Sequence, residues 1–268
     1  MSETDKVFSG SIPENYDRHM VPLIFDSYAR DIAQRVAALS PKAVLETAAG
    51  SGVVTRAVAR VLSADASYVV TDLNQPMLDY AQAKQVADSR IRWQKADAQA
   101  LPFEDATFDL VCCQFGAMFF PDRPSGYREA KRVLKSGGCF LFNVWDRIEE
   151  NVFADDVTNA LAALFPNDPP RFLARTPHGY HDTALIRSDL AKAGFSHLTI
   201  ETRAAQSRAA SARIVALAYC QGTPLRNEIE ARGNLEAATD QAASAIATRH
   251  GNGEVSAKIQ AHIILARA

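Results

Sequence analysis

The chain has 268 residues, which at roughly 150 residues per domain allows one large α/β domain or two small ones. Lysine and arginine total 29 against 31 aspartates and glutamates, and the resulting net charge of -2 argues against a protein built to grip a polyphosphate backbone. Hydrophobic residues make up 47% and charged residues 22%, a balance that fits a folded globular protein and excludes general disorder. The apolar runs are all shorter than the roughly 18 residues a membrane helix needs. Met1 to Met20 is polar and mixed in charge, so no secretory signal is read and the expected home is the cytoplasm. The four cysteines, Cys112, Cys113, Cys139 and Cys220, form no C-x-x-C or Cys/His knuckle. Free buried thiols and no metal site are expected.

Residues Met1 to Ile12 read as loose. From Pro13 to Leu39 apolar residues recur at helical spacing (Met20, Leu23, Ile24, Tyr28, Ile32, Val36), which predicts one or two helices. A strand–helix rhythm follows. Val44 and Leu45 end a short strand at Glu46, and Ser51 to Leu62 reads as a helix. Ser67 to Thr71 is β-rich, Gln75 to Ala87 helical, and Ile91 to Lys95 and Phe108 to Gln114 are strands. Arg123 to Leu134 is a helix stopped by Gly137 and Gly138, and Cys139 to Trp145 is a further strand. Such alternation predicts a parallel sheet with helices on both faces.

After Trp145 the rhythm breaks. Asn151 to Phe165 reads as a helix, and Pro166 to Pro177 holds Pro166, Pro169, Pro170 and Pro177. This stretch is expected to be an insertion or cap. The rhythm resumes with a helix from Asp182 to Ala193 and a strand from Phe195 to Thr202. Ala204 to Arg249 is alanine-rich and helical in character, with a turn at Gly222 to Pro224, and Ile259 to Ala266 reads as a last strand.

The sharpest feature runs from Val44 to Gly52. A strand ends, glycines follow and a helix begins, so backbone can approach a ligand closely. In an open parallel sheet ligands bind beyond the carboxyl ends of strands. Asp72 closes the next strand, where an acidic side chain accepts hydrogen bonds from ribose hydroxyls, and Asn74 is a suitable helix cap behind it. That pairing fits a nicotinamide enzyme as well. The loop separates the two readings: from Gly50 it reads G-S-G-V-V-T, with Thr55 in the place of the third glycine of a dinucleotide loop. Glu46 just before it repels phosphate and suits a cationic ligand, such as one with an ammonium and a sulfonium.

These residues resemble the class I S-adenosylmethionine-dependent methyltransferases, in the small-molecule branch that includes the ubiquinone and menaquinone C-methyltransferases. Glu46 to Gly52 is similar to that family's E-x-G-x-G-x-G, with Ala48 replacing the first glycine. Asp72-Leu73, the string Lys95 to Phe103, Phe108 to Val111, and Arg132-Val133-Leu134-Lys135-Ser136-Gly137-Gly138 match further segments in order. The resemblance implies a doubly wound, mostly parallel seven-stranded α/β sheet of Rossmann-like type, with N-terminal helices and a helical cap. It implies a closing segment over residues 1–40, a cofactor-binding core over 41–146 and 181–268, and a lid over 147–180. S-adenosyl-L-methionine is the implied cofactor. Gly50 and Gly52, with Ala48 in the same loop, would line its methionine part. Glu46 would sit beneath that part, Asp72 would hold the ribose, Leu73 and Met77 would flank adenine, and Asp97 and Ala98 would read its edge. Gln114 and Phe115 would lie near the methyl end, and Tyr16 would contact the cofactor's tail.

No catalytic motif is visible. His19, His178 and His181 are the candidates for a general base by position, since the N-terminal helices and the insertion roof the pocket in this family. Phe115 and Phe119 are candidates for an apolar acceptor wall, and Asn143 and Trp145 end the fifth strand near the site. No Asn-Pro-Pro-aromatic string follows the fourth strand, so the mark of amino-directed DNA and protein-glutamine methyltransferases is missing. A small-molecule acceptor is expected, with neither nucleic acid nor membrane as partner. The oligomeric state stays open between monomer and homodimer. Two alternatives stand beside methyl transfer: a binding protein that keeps the nucleoside site without catalysis, and a nicotinamide-dependent oxidoreductase.

Overall fold

The structure is a computed structural model that describes Glu14 and residues 16–268. The stretch Met1 to Ile12, expected to be loose, lies outside those residues, as does Pro13. A π-helical segment, Tyr16–Phe25, runs into α1 (Asp26–Leu39). Then come β1 (Ala43–Glu46), α2 (Val53–Ala59), β2 (Ser67–Asp72), α3 (Gln75–Lys84), β3 (Ile91–Lys95), β4 (Phe108–Gln114), α4 (Arg123–Val133) and β5 (Leu134–Trp145). The rest of the chain is α5 (Val152–Leu164), α6 (Phe172–Arg175), α7 (Thr183–Lys192), β6 (His197–Ala209), α8 (Ala212–Gln221), α9 (Leu225–Glu230), α10 (Leu235–His250) and β7 (Val255–Arg267).

The seven strands form one sheet in the order β3-β2-β1-β4-β5-β7-β6. Neighbours among β1 to β5 pair in parallel, so their carboxyl ends share one edge. Val44, Leu45, Tyr68, Val70, Leu110, Val111, Phe140, Leu141 and Phe142 are all buried. Central parallel strands covered on both faces need such continuous apolar runs. The register sets Glu46 opposite Val70 and Cys112, Asp72 opposite Lys95, and Gln114 opposite Asn143.

The chain forms two compact units. One comprises Ser27–Val144, His181–Arg203 and His262–Ala268. In it α1 buries Tyr28, Ile32 and Val36, four residues apart, as one helical stripe. Tyr28 donates its hydroxyl to the Arg203 carbonyl (2.9 Å) and meets Phe115 edge-on, with ring centroids 5.4 Å apart. The N-caps Asp122 and Asp182 start α4 and α7 by accepting from Ser125 N–H (3.1 Å) and Ala184 N–H (2.8 Å). The other unit comprises the described residues up to Asp26, Trp145–Tyr180 and Ala204–Ala261. There α5, α8 and α10 pack together, and buried Asp156 accepts from Arg249 and pairs with His250 Nε2 at 2.7 Å.

Two expectations are corrected. Gly137 and Gly138 do not stop α4, which ends at Val133; they lie inside β5. Leu134 already pairs with Phe108, while Cys139 pairs with Leu110, so the residues between form a bulge. Gly137 takes a φ of 78°, and a Cβ on Gly138 would sit 2.8 Å from the Lys135 carbonyl oxygen. Next, Ala204 to Ala209 is strand, not helix, because β6 continues to Ala209. Sheet pairing overrides alanine's helical preference there. Within the proline-rich insertion Phe172–Arg175 makes one helical turn, its first N–H groups held by Glu228.

Candidate cofactor site

The site is built at the carboxyl edge of β1, β2, β3 and β4. Beyond Glu46 the chain stays tied to both neighbouring strands: Thr47 N–H donates to the Cys112 carbonyl (2.9 Å) and Ala49 N–H to the Thr71 carbonyl (3.0 Å). Between these ties Ala48, Gly50 and Gly52 take left-handed φ values of 53°, 57° and 82°. The two glycines serve different ends. A Cβ on Gly52 would lie 2.9 Å from Ala81 Cβ, so that glycine lets α2 and α3 approach. A Cβ on Gly50 would meet only Met77 Cε, at 3.7 Å, so the ground before Gly50 is open. Ser51 is buried, and its hydroxyl oxygen has no partner among the described residues.

Ala48 stands where the resembling loops carry glycine, in a conformation that costs an ordinary residue roughly 1–2 kcal/mol. Its methyl has a counterpart. A Cβ on Gly116, in the turn after β4, would fall 2.5 Å from Ala48 Cβ and 2.8 Å from Cys113 Sγ. Gly116 therefore makes the room that Ala48 fills.

Two buried carboxylates bracket the loop. Glu46 Oε2 accepts from the hydroxyls of Thr55 (2.7 Å) and Tyr68. Burial pushes its pKa up to about 7 in spite of those two bonds. Thr55, which replaces the third glycine of a dinucleotide loop, is thus tied to the acidic residue before the loop. Asp72 Oδ2 accepts from Gly50 N–H (2.8 Å) and Oδ1 from Asn74 N–H (2.7 Å). Burial raises its pKa too, while the backbone donors of Asn74 and Gly50 oppose the rise. The loop after β1 and the acid ending β2 are therefore one hydrogen-bonded piece.

Leu73 is 44% exposed, a large apolar side chain left uncovered at the strand end, while Met77 is buried beside Gly50. Ala96 N–H donates to the Asp72 carbonyl (3.1 Å), which carries the edge on to β3. A tight turn bonds Ala100 N–H to the Asp97 carbonyl (3.0 Å) and presents Asp97 and Ala98. On the other side β4 ends at Gln114. Phe115 turns with a φ of 50°, its N–H bonded to Asn143 Oδ1 (2.9 Å).

The structure thus brings Glu46, Ala48, Gly50, Gly52, Asp72, Leu73, Met77, Asp97, Ala98, Gln114 and Phe115 to one edge of one unit. Tyr16, His19 and His178 belong to the other unit. There Tyr16 stacks on Phe25 at 5.0 Å, and burial followed by the Arg18 charge lowers the pKa of His19. His178 is buried with Nδ1 2.9 Å from the Asp146 carbonyl oxygen. His181 immediately precedes the Asp182 cap of α7. Sequence reasoning did not find Tyr68 and Thr55 as partners of Glu46, nor Gly116 as the complement of Ala48. All three depend on pairings between segments that no local motif announces. Among the described residues no helix is long and apolar enough to cross a membrane, and no cluster of three metal-ligating side chains occurs. All four cysteines are free and buried.

Sheet order, helical layers and edge site define the class I methyltransferase architecture. Solved structures of that fold superpose over most of the chain. A candidate methyltransferase of Bacillus halodurans has a TM-score of 0.56 at 22% identity, covering 89% of this chain and 97% of that one. The YcgJ protein of Bacillus subtilis gives 0.55 at 19%, covering 90% and 98%. The chain matches the ubiE/COQ5 methyltransferase family over residues 2–206 and belongs to that family. A ubiquinone/menaquinone biosynthesis C-methyltransferase of Teredinibacter turnerae is 28% identical over 165 residues, 57% of this chain and 66% of that protein. A demethylmenaquinone methyltransferase of Lactiplantibacillus plantarum is 37% identical over 134 residues, 47% and 56% of the two chains. The chain therefore matches just under two thirds of the one relative and little more than half of the other.

Proposed function

We propose that the protein transfers a methyl group from S-adenosylmethionine to a small organic acceptor. The observation that carries this reading is the Gly50–Asp72 hydrogen bond beside open ground: an approachable backbone fixed to an acid at the end of the next strand. The residues fit the cofactor. Asp72 Oδ2 accepts from Gly50 N–H and keeps a lone pair for a ribose hydroxyl, while Oδ1 accepts from the N–H and the side-chain amide of Asn74. Exposed Leu73 offers an apolar face for adenine, and Asp97 and Ala98 its edge. Gly50, Gly52 and Ala48 form the cradle for the methionine part, with Glu46 as the counter-charge for its ammonium. Gln114 and Phe115 complete the contacts within this unit.

When bound, the cofactor supplies a sulfonium methyl that is already a strong electrophile. The protein's share is then alignment of the acceptor and exclusion of water. A base is needed only where the acceptor must lose a proton. His178 is the first candidate for that task by its place in the sequence; its Nδ1 donates to the Asp146 carbonyl oxygen 2.9 Å away. His19, with its lowered pKa, is neutral near pH 7 and is the second candidate; His181 is the third. The cytoplasm is the proposed location.

The relatives' names direct the first acceptor to try, a reduced demethylated naphthoquinone. The test is transfer of labelled methyl from S-adenosylmethionine to that quinol and to a panel of phenols, amines and carboxylates, with products identified by mass spectrometry. Methylated product supports the reading. Tight cofactor binding with no product across the panel would instead favour a binding protein.

A further inference from the structure

Asn143 is fully buried at the carboxyl end of β5, opposite Gln114 in register. The Phe115 N–H is a donor, so the amide atom that faces it at 2.9 Å must be the oxygen. That bond fixes the amide's orientation. Nδ2, with two N–H donors, is left on the other arm, and it has no partner among the described residues. Most buried polar atoms in folded proteins are paired, and an unpaired one is destabilising. Among buried Leu141, Val144 and Trp145, an apolar residue would fit the strand better.

The position gives the donor a use. The cofactor reading spreads adenine, ribose and methionine contacts over β3, β2, β1 and β4. Strand β5 is the next one outward, and Asn143 holds the very residue, Phe115, that turns the chain at the methyl end. We propose that Asn143 determines acceptor specificity by donating from Nδ2 to an oxygen next to the atom that is methylated, an inference that rests on the methyltransferase reading. The ligand chemistry is a hydrogen-bond-accepting oxygen: a carbonyl, a phenolate or a hydroxyl. A group with only N–H donors to offer, such as a protonated amine, leaves Nδ2 unpaired and is disfavoured.

Two variants separate the two ends of the amide. Asn143→Asp keeps an acceptor for the Phe115 N–H and loses the donor while the carboxyl is ionised. Asn143→Leu loses both side-chain groups and leaves the Phe115 N–H only the main-chain carbonyl of residue 143, at 3.2 Å. Calorimetry first measures S-adenosylhomocysteine alone, then 1-tetralone and 4-chromanone (whose oxygens only accept) and 2-aminonaphthalene against the protein saturated with S-adenosylhomocysteine. The wild type should bind the oxygen-bearing probes more tightly than the amine. Asn143→Asp should leave S-adenosylhomocysteine affinity unchanged and weaken the oxygen-bearing probes roughly 10- to 100-fold at pH 8. It should regain that affinity on acidification, because a buried carboxyl protonates readily and then donates. Asn143→Leu should lose the preference at every pH. Cooperative thermal unfolding checks that both variants fold, and the Asp variant suffices if the Leu variant does not. Unchanged probe affinity in Asn143→Asp, or a wild type that prefers the amine or binds no oxygen-bearing probe, would overturn the proposal with S-adenosylhomocysteine binding intact. Loss of S-adenosylhomocysteine binding by the wild type itself would overturn the underlying reading instead.

Discussion

The turns after β1 and after β4 lie on the same edge of one sheet and are held in different ways. After β1 the chain passes through three left-handed residues, and an ionisable side chain pins it: Asp72 takes the Gly50 N–H. After β4 one left-handed residue suffices, and a neutral amide pins it: Asn143 takes the Phe115 N–H. Beneath the first turn lies Glu46, tied to the hydroxyls of Thr55 and Tyr68. Beside the second lie Cys113, Met118 and Tyr28, all buried and mostly apolar. The first turn is lined by carboxylates and hydrogen-bonding groups, the second by apolar side chains. Glycine and acid are rare enough in strand ends to signal a site; phenylalanine, methionine and cysteine are not.

Breaking the first turn should have the largest effect. Gly50→Val has room against the protein, but it fills the ground before the loop and strains a left-handed backbone. S-adenosylhomocysteine binding should vanish by calorimetry while a cooperative thermal transition survives. The corresponding change at Gly52 should instead damage the fold, since its Cβ would collide with Ala81.

Removing the pin comes next. A charge-assisted hydrogen bond contributes about 1.5–3 kcal/mol, so Asp72→Ala should weaken S-adenosylhomocysteine roughly 10- to 100-fold. Asp72→Asn, which still accepts, should lose less. Normal affinity in a folded Ala variant would remove Asp72 from the site.

The acid beneath the loop sharpens the contrast through pH. Glu46 has a pKa of about 7 in the folded chain against an ordinary 4.5. Below the lower value both states are protonated. As pH rises from there to about 7 only the unfolded state ionises, so stability is lost progressively. The total is roughly 3 kcal/mol by linkage. Glu46→Gln should therefore raise the melting temperature at pH 8 and change it little at pH 4. Cofactor affinity should move the opposite way. An ammonium prefers the ionised carboxylate, so wild-type affinity for S-adenosylhomocysteine should fall below pH 7, by up to about tenfold per unit. In Glu46→Gln it should be weaker and insensitive to pH in that range. No equivalent titration is expected from Asn143.

The smallest effect belongs to the contact between the two turns. Ala48→Gly relieves a left-handed alanine and should stabilise the fold by roughly 0.5–1 kcal/mol in denaturant unfolding, with cofactor affinity nearly unchanged. Marked destabilisation would show that the methyl's packing against Gly116 outweighs the strain.

These differences explain what the sequence made legible. The parallel core could be read because strands buried on both faces need apolar runs and the glycine loop interrupts one of them. The place of Asp72 at the end of β2 could be read because an acid there closes an apolar run. The strand character of Ala204 to Ala209 was hidden because alanine favours helix and only the neighbouring strand decides otherwise. The β5 bulge at Gly137 and Gly138 looked like a helix stop because glycine serves both purposes. Asn143 could be placed at a strand end, but its unpaired donor appears only once Phe115 is seen to hold its oxygen.

The central claim is that the turn after β1 and the acid of β2 hold an S-adenosyl ligand. The most direct measurement is a calorimetric titration of S-adenosylhomocysteine into the wild type and into Gly50→Val, with NAD titrated in parallel. The account predicts one site per chain in the wild type, none in the variant and no binding of NAD. Equal binding by both proteins, or NAD binding in place of S-adenosylhomocysteine, would contradict it.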